Sequence, residues 1–233
     1  MLSQLRSKLW RLRSRLAIKL GGSQYARGVF TNIYASNLWG DGESLSGPGS
    51  NQRETNTIKS QLPALLKRYE IVSLVDAPCG DLAWMGDLLG SFNRYVGIDI
   101  VQELIAANSK RFEKDNVSFM CADLSVDTLP QADAILCRDC LIHLPNEMVK
   151  KVLLNMVDSS SRYLLVTHSP GIKKNEDIAL GSFRPVNLEE APFSFPRPLD
   201  AIDESGCGER LLALWPMQDV AASLGRTTHA GTS

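Results

Sequence analysis

No apolar run in this sequence approaches the roughly 18 residues needed to cross a bilayer, so none of its 233 residues reads as a membrane span. The five cysteines are an odd number, and no second pair or histidine stands at metal-ligand spacing beside the single C-x-x-C, Cys137 and Cys140 in "CRDC". That argues for reduced thiols in a cytoplasmic setting, and against both a structural zinc and a disulfide framework. Internal repeats and low-complexity tracts are missing. Beyond residue 20 the chain is acidic, and aromatic and basic side chains do not interleave along a strand, which speaks against nucleic acid as a partner. With 44% apolar and 22% charged residues, the composition is that of one globular domain with modest additions.

Acids are absent from residues 1–20, "MLSQLRSKLWRLRSRLAIKL", which carry six cations. The remaining 213 residues therefore hold −7 of a net charge of −1. Leu2, Leu5, Leu9, Leu12, Leu16 and Leu20 fall at steps of three and four, the stripe of an amphipathic helix. Two readings of that helix stay open: it lies on an anionic membrane surface, here the inner membrane, as basic amphipathic helices do, or it packs on its own domain or a partner. A secretory signal does not fit, because arginines interrupt every apolar run.

Residues 21–54, with "WGDGESLSGPGSN" at 39–51, are expected to be a glycine- and serine-rich loop, serving as linker or lid. Trp39 and Glu43 are the lid's candidate contacts, with Ser44 and Ser46 as hydroxyl donors. From 55 to 222 a domain is expected, and residues 223–233 read as a flexible tail. The domain opens on a helical pattern over 55–69, with Pro63 marking a kink or a restart. Then "IVSLVDA", "RYVGIDI", "VSFMCA", "ADAILC" and "RYLLVTH" are continuous apolar strands alternating with helical segments. One of those helices carries Met85, Leu88, Leu89 and Phe92; another follows Pro145. Continuous rather than alternating strands mean a mostly parallel sheet covered on both faces, a doubly wound α/β domain. The proline-rich "RPVNLEEAPFSFPRP" reads as loop, and "RLLALW" as the one later strand.

In such a sheet the ligand sits at the carboxyl ends of the strands. After the first strand comes "DAPCGD", where a dinucleotide site would show three glycines for its pyrophosphate. Only Gly80 is present, with Pro78 and Leu82 in the places of the other two and Trp84 beyond. A nicotinamide-dependent oxidoreductase is therefore disfavoured. The second strand ends at Asp99, 19 residues past Gly80, where a carboxylate can accept both hydroxyls of a ribose. The third runs into Asp123, placed to accept from an adenine amino group, with Leu124 near the ring plane. A lone acid ending a strand is often only a turn or helix cap; several at this spacing describe a nucleoside joined to something other than pyrophosphate.

"DAPCGD", "GIDIV", "CADL" and "CRDCLIHL" resemble motifs of the class I S-adenosylmethionine-dependent methyltransferases, and the leader is similar to that of a bacterial branch of that family. The resemblance spans about residues 30–220. It implies a Rossmann-like methyltransferase fold with an N-terminal helical extension, and S-adenosylmethionine as cofactor. Asp76 and Gly80 would line the methionine end, with Ala77, Pro78 and Cys79 shaping the turn. Asp99 would hold the ribose, Ile100 flank the adenine and Asp123 read its amino group, while Cys137 and Arg138 would sit beside the sulfonium. The methyl acceptor is expected to be a hydroxyl of a small molecule or glycan. His143 and Asp139 are the candidate bases and His168 a third; Arg184 and Asn187 are either acceptor readers or structural. The competing reading is a non-catalytic module that binds the cofactor or a partner through the same fold.

Overall fold

A computed structural model describes residues 22–226. The basic stripe of residues 1–20 and most of the tail lie outside the described residues. Residues 22–35 are helical (α1), followed by a structured loop and then helix α2, Gln52–Arg68. The sheet comprises β1 (Ser73–Asp76), β2 (Arg94–Asp99), β3 (Val117–Cys121), β4 (Ala134–Cys137), β5 (Tyr163–His168), β6 (Asp200–Asp203) and β7 (Leu211–Pro216). Helices α3 (Gln102–Phe112), α4 (Asn146–Asp158) and α5 (Met217–Ser223) complete the layers. The strand order is β3-β2-β1-β4-β5-β7-β6. β7 alone runs opposite to the other six strands, pairing antiparallel with β5 and β6. The order reverses at β1, so the carboxyl ends of β1 and β4 flank the crevice where such sheets take ligands.

The sheet is buried on both faces, which is why its strands read as unbroken apolar runs. Val75, Ile135 and Leu164 point to one face, where α4 supplies Val149, Val152, Leu153 and Met156 and α5 supplies Val220 and Ala221. Leu74, Leu136 and Leu165 point to the other, against Ile58, Leu62, Leu65 and Leu66 of α2 and Leu104 and Ile105 of α3. Each such side chain contributes about 1.5–3 kcal/mol when fully buried.

Four expectations are corrected. Residues 22–35 are helix, not loop: Ala26 is buried, and Tyr25, Val29 and Phe30 pack against the core, a helical stripe hidden by the small polar residues on either side of it. The helix around Met85 to Phe92 is a 3-10 turn, Met85–Ser91. Gly86 and Gly90 each cost about 1 kcal/mol in an α-helix, while Met85, Leu89 and Phe92 still bury their side chains. Pro63 does not break α2, which runs through it and starts at Gln52 because the Asn51 side chain accepts from Glu54 N at 2.9 Å as an N-cap. The edge strand β6 has only four residues and buries only Ile202, too little pattern for detection. Residues 169–199 are indeed without helix or strand, yet Val186, Leu188, Phe193 and Phe195 are core residues.

Leu153→Ala removes a fully buried α4 side chain and is expected to cost about 2–5 kcal/mol. Urea denaturation reads this as a lower midpoint at unchanged slope; a loss under about 1 kcal/mol would contradict the packing described.

Candidate active site

A cavity of about 150 Å³ opens at the carboxyl ends of β1 to β4. Asp76 ends β1, Asp99 ends β2, Asp123 follows β3, and Arg138 and Asp139 follow β4; all five line the cavity. Pro78, Cys79, Gly80, Ile100, Leu124 and His143 line it too. Ala77 and Cys137 do not: both are fully buried, Ala77 N donating to Leu136 O at 2.8 Å. They stand behind the wall formed by their neighbours.

The three acids are held differently. Asp76 is buried and accepts from Tyr95 Oη at 2.6 Å. Burial pushes its pKa up to about 7, against the smaller opposing pull of the Tyr95 bond; nearby Asp99 raises it further. Asp99 accepts from Val101 N at 3.0 Å and Gly80 N at 3.3 Å, and burial raises its pKa as well. Asp123 Oδ1 accepts from both Ser125 N and Ser125 Oγ. Its other oxygen, Oδ2, is buried with no hydrogen-bond partner, an acceptor that costs free energy until a donor arrives.

Gly80 has φ of +55°, and a Cβ there would meet Ser46 Oγ at 2.4 Å. Leu82 adopts the same left-handed region, φ 58°, at a cost of about 1–2 kcal/mol; its buried side chain compensates. The turn thus keeps the geometry of a glycine-rich turn at the position where glycine is missing.

The loop before α2 is clasped onto this turn. Asp81 accepts from Ser44 Oγ (3.0 Å), Leu45 N (2.7 Å) and Ser46 Oγ (3.2 Å), while Asp81 N donates to Ser46 Oγ at 2.9 Å. Trp39, Leu45, Ser46 and Ser50 line the cavity. Glu43 is exposed and instead accepts from Gln52 N at 2.9 Å. Arg138 Nη2 ties the loop from the other side by donating to Gly49 O at 2.7 Å.

His143 stacks on Trp39, with ring centroids 4.2 Å apart. Its Nδ1 lies 3.0 Å from Ser182 O; a carbonyl only accepts, so Nδ1 carries the proton and Nε2 keeps its lone pair. Burial lowers the pKa of this imidazole. Asp139 is committed elsewhere: Oδ2 pairs with Arg210 Nη2 at 2.6 Å and Arg138 Nη1 at 3.4 Å, and Thr167 Oγ1 donates to Oδ1 at 3.3 Å. His168 is fully buried against Trp215, its Nδ1 accepting from Leu188 N at 3.2 Å, and it does not line the cavity.

Arg184 and Asn187 are structural. Buried Arg184 donates to Leu141 O and Leu144 O and to Asn146 Oδ1, so it braces the 3-10 turn that carries His143; burial brings its pKa down to about 10. Asn187 donates to Pro170 O and Ile172 O. Sequence reasoning missed Glu204, which lies between β6 and β7 and accepts from Arg138 Nε at 2.8 Å. It sits 66 residues from its partner, and no local pattern marks it. The cysteines are free thiols, and among the described residues no cluster could hold a metal ion.

Asp76 offers a test of this electrostatic picture. Its native pKa of about 7 stands above the ordinary 3.8, so the native state holds a proton that the unfolded chain releases. Stability therefore falls as pH rises through that window. Asp76→Asn removes the titration but keeps an acceptor for Tyr95. The variant is expected to gain stability over the parent progressively from pH 4 to 7, by a few kcal/mol. Thermal melts across this range check it; a gap that does not grow with pH contradicts it.

No curated protein sequence matches this chain. Residues 74–160 match the family model of a methyltransferase domain. The fold is that of magnesium protoporphyrin IX methyltransferase from Synechocystis PCC 6803 with bound S-adenosylmethionine (TM-score 0.53, 15% identity, 82% of this chain and 95% of that one). It is also that of an S-adenosylmethionine-dependent methyltransferase from Clostridium acetobutylicum ATCC 824 (TM-score 0.52, 14% identity, 69% and 90%). Against the methyltransferase domain of the bacterial CtHen1 (TM-score 0.45, 16% identity), the match takes in 50% of this chain and 66% of that one. Residues 74–160 thus match a methyltransferase domain, and the mostly parallel sheet with its flanking helices shares the Rossmann-like fold of S-adenosylmethionine-dependent methyltransferases.

Proposed function

We propose that the chain transfers a methyl group from S-adenosylmethionine to a hydroxyl of a small molecule or glycan, with His143 as the base. The observation that carries the cofactor is Asp123 Oδ2, a buried acceptor without a donor on the cavity wall. An adenine amino group is a donor of the right kind. Asp99 would take the ribose hydroxyls, and Ile100 and Leu124 the faces and edges of the base. Asp76 and the turn from Pro78 to Gly80 would meet the methionyl end, and the missing Cβ at Gly80 is what lets Ser46 pack against that turn. When bound, this group supplies an electrophilic methyl on a sulfonium.

The protein's part is positioning and proton removal. The loop from Trp39 to Ser50, held by Asp81, serves as a lid over the cavity. His143 offers its Nε2 lone pair to the acceptor proton, while the charge of Asp139 is held by two arginines on Oδ2, which makes it the weaker base. The stripe of residues 1–20 would add a peripheral contact with an anionic membrane surface.

Calorimetry with S-adenosylhomocysteine tests the cofactor half. Micromolar binding is expected, weakened at least about tenfold by Asp99→Ala or Asp123→Ala, the loss of one or two hydrogen bonds to a charged group. Folded protein that does not bind favours the non-catalytic module. For the base, neutral His143 is the active form, and its pKa lies below the ordinary 6.5. The acidic limb of kcat/KM should therefore have its midpoint below pH 6.5 and vanish in His143→Ala. A midpoint above that value contradicts the role.

A further inference from the structure

We propose that the methyl acceptor is a neutral molecule whose reacting hydroxyl sits on a planar aromatic ring, a phenol rather than a sugar or an acid. This rests on the methyl-transfer reading above and narrows its acceptor.

Charge excludes anionic acceptors. Among the described residues that line the cavity, Arg138 is the single lysine or arginine, and its guanidinium is used up. Nε donates to Glu204 at 2.8 Å, Nη2 to Gly49 O at 2.7 Å, and Nη1 faces Asp139 at 3.4 Å. Glu204 is buried and Arg210 pairs with Asp139 at 2.6 Å, so the charges of this cluster are balanced internally. A carboxylate or phosphate entering here would meet Asp99 and Asp123 with no unpaired lysine or arginine among the described lining residues to offset them.

Polarity disfavours a polyol. Away from the strand-end acids the walls are Ile33, Trp39, Leu45, Cys140, Leu144 and Met148. Ser46 Oγ is committed to Asp81 as donor and acceptor, leaving Tyr34 and Ser50 as hydroxyls with no bond to another described residue. A sugar would bury several hydroxyls with too few partners, each at a cost of about 1–3 kcal/mol. A flat apolar ring has no such cost and matches what surrounds the base. His143 lies against Trp39 at 4.2 Å and 24°, and the Phe183 ring stands 6.1 Å from it at 54°. Leu45, on the cavity wall, is 42% exposed, and Phe183 beside His143 is 68% exposed.

The base points the same way. An imidazole of lowered pKa takes a proton at the smaller cost from a phenol, whose pKa is about 10. A sugar hydroxyl is a weaker acid than a phenol and would present the larger gap. In the balanced step the phenolic O–H gives its proton to His143 Nε2 and an oxygen lone pair forms the new C–O bond. The S–CH3 electron pair stays on sulfur, giving S-adenosylhomocysteine, an aryl methyl ether and an imidazolium that returns its proton to water.

The full chain with S-adenosylmethionine is offered 2-naphthol, 6-hydroxy-2-naphthoate or methyl glucoside, with ethers and S-adenosylhomocysteine read by mass spectrometry. The expected result is methylation of 2-naphthol with kcat/KM at least about tenfold above the carboxylated ring, and no ether from the glucoside. Phe183→Ala, an exposed change the fold tolerates, should raise KM for 2-naphthol roughly fivefold with unaltered S-adenosylhomocysteine affinity in calorimetry. Equal or better turnover of the glucoside or the naphthoate overturns the proposal, as does turnover of none by protein that binds S-adenosylhomocysteine. Loss of that binding in the parent protein overturns the methyltransferase reading itself, and the phenol with it.

Discussion

Three carboxylates buried side by side at the ends of β1, β2 and β3 are the constraint around which the rest of the molecule is arranged. Asp76, Asp99 and Asp123 are each less than a tenth exposed, and a parallel sheet with helices on both faces puts them there by aligning its strand ends. Burial without full compensation works against the fold, as the raised pKa values of Asp76 and Asp99 and the unpartnered oxygen of Asp123 record. A protein keeps such groups when a ligand completes them. The two-faced apolar core supplies the stability that makes this arrangement tolerable.

The second layer of organisation is the way distant segments converge on the turn after β1. Asp81 receives the leader through Ser44, Leu45 and Ser46, and the strand-end arginine, Arg138, receives it through Gly49 while itself held by Glu204. Leader, glycine turn and the β6–β7 connection therefore form one connected rim. Arg184, from the proline-rich segment, does the same for the turn bearing His143. Positions outside the cavity thus set where the cavity-lining ones stand.

How much of this the sequence discloses follows from the range of each interaction. The sheet was legible because its strands are buried on both sides and therefore unbroken in hydrophobicity. Asp76, Gly80, Asp99 and Asp123 were legible because topology ties strand ends to a site. Helix 22–35 was obscured by neighbouring glycines and serines, its apolar stripe being short. Glu204, and the structural work of Arg184 and Asn187, depend on contacts made only once the chain is folded. So does the distinction between His143, with a free Nε2, and Asp139, which resembles it in sequence but is consumed by two arginines. Ala77 and Cys137 belong to the same motifs as the lining residues and yet face away, since alternate residues of a strand point to opposite sides.

The account stands or falls on the unpartnered oxygen of Asp123. A crystal structure of the chain with S-adenosylhomocysteine tests it directly. The account requires the adenine amino nitrogen within hydrogen-bond distance of Asp123 Oδ2 and the ribose hydroxyls on Asp99. A nucleoside seated elsewhere, or an Asp123 Oδ2 still without a donor in the complex, would contradict it.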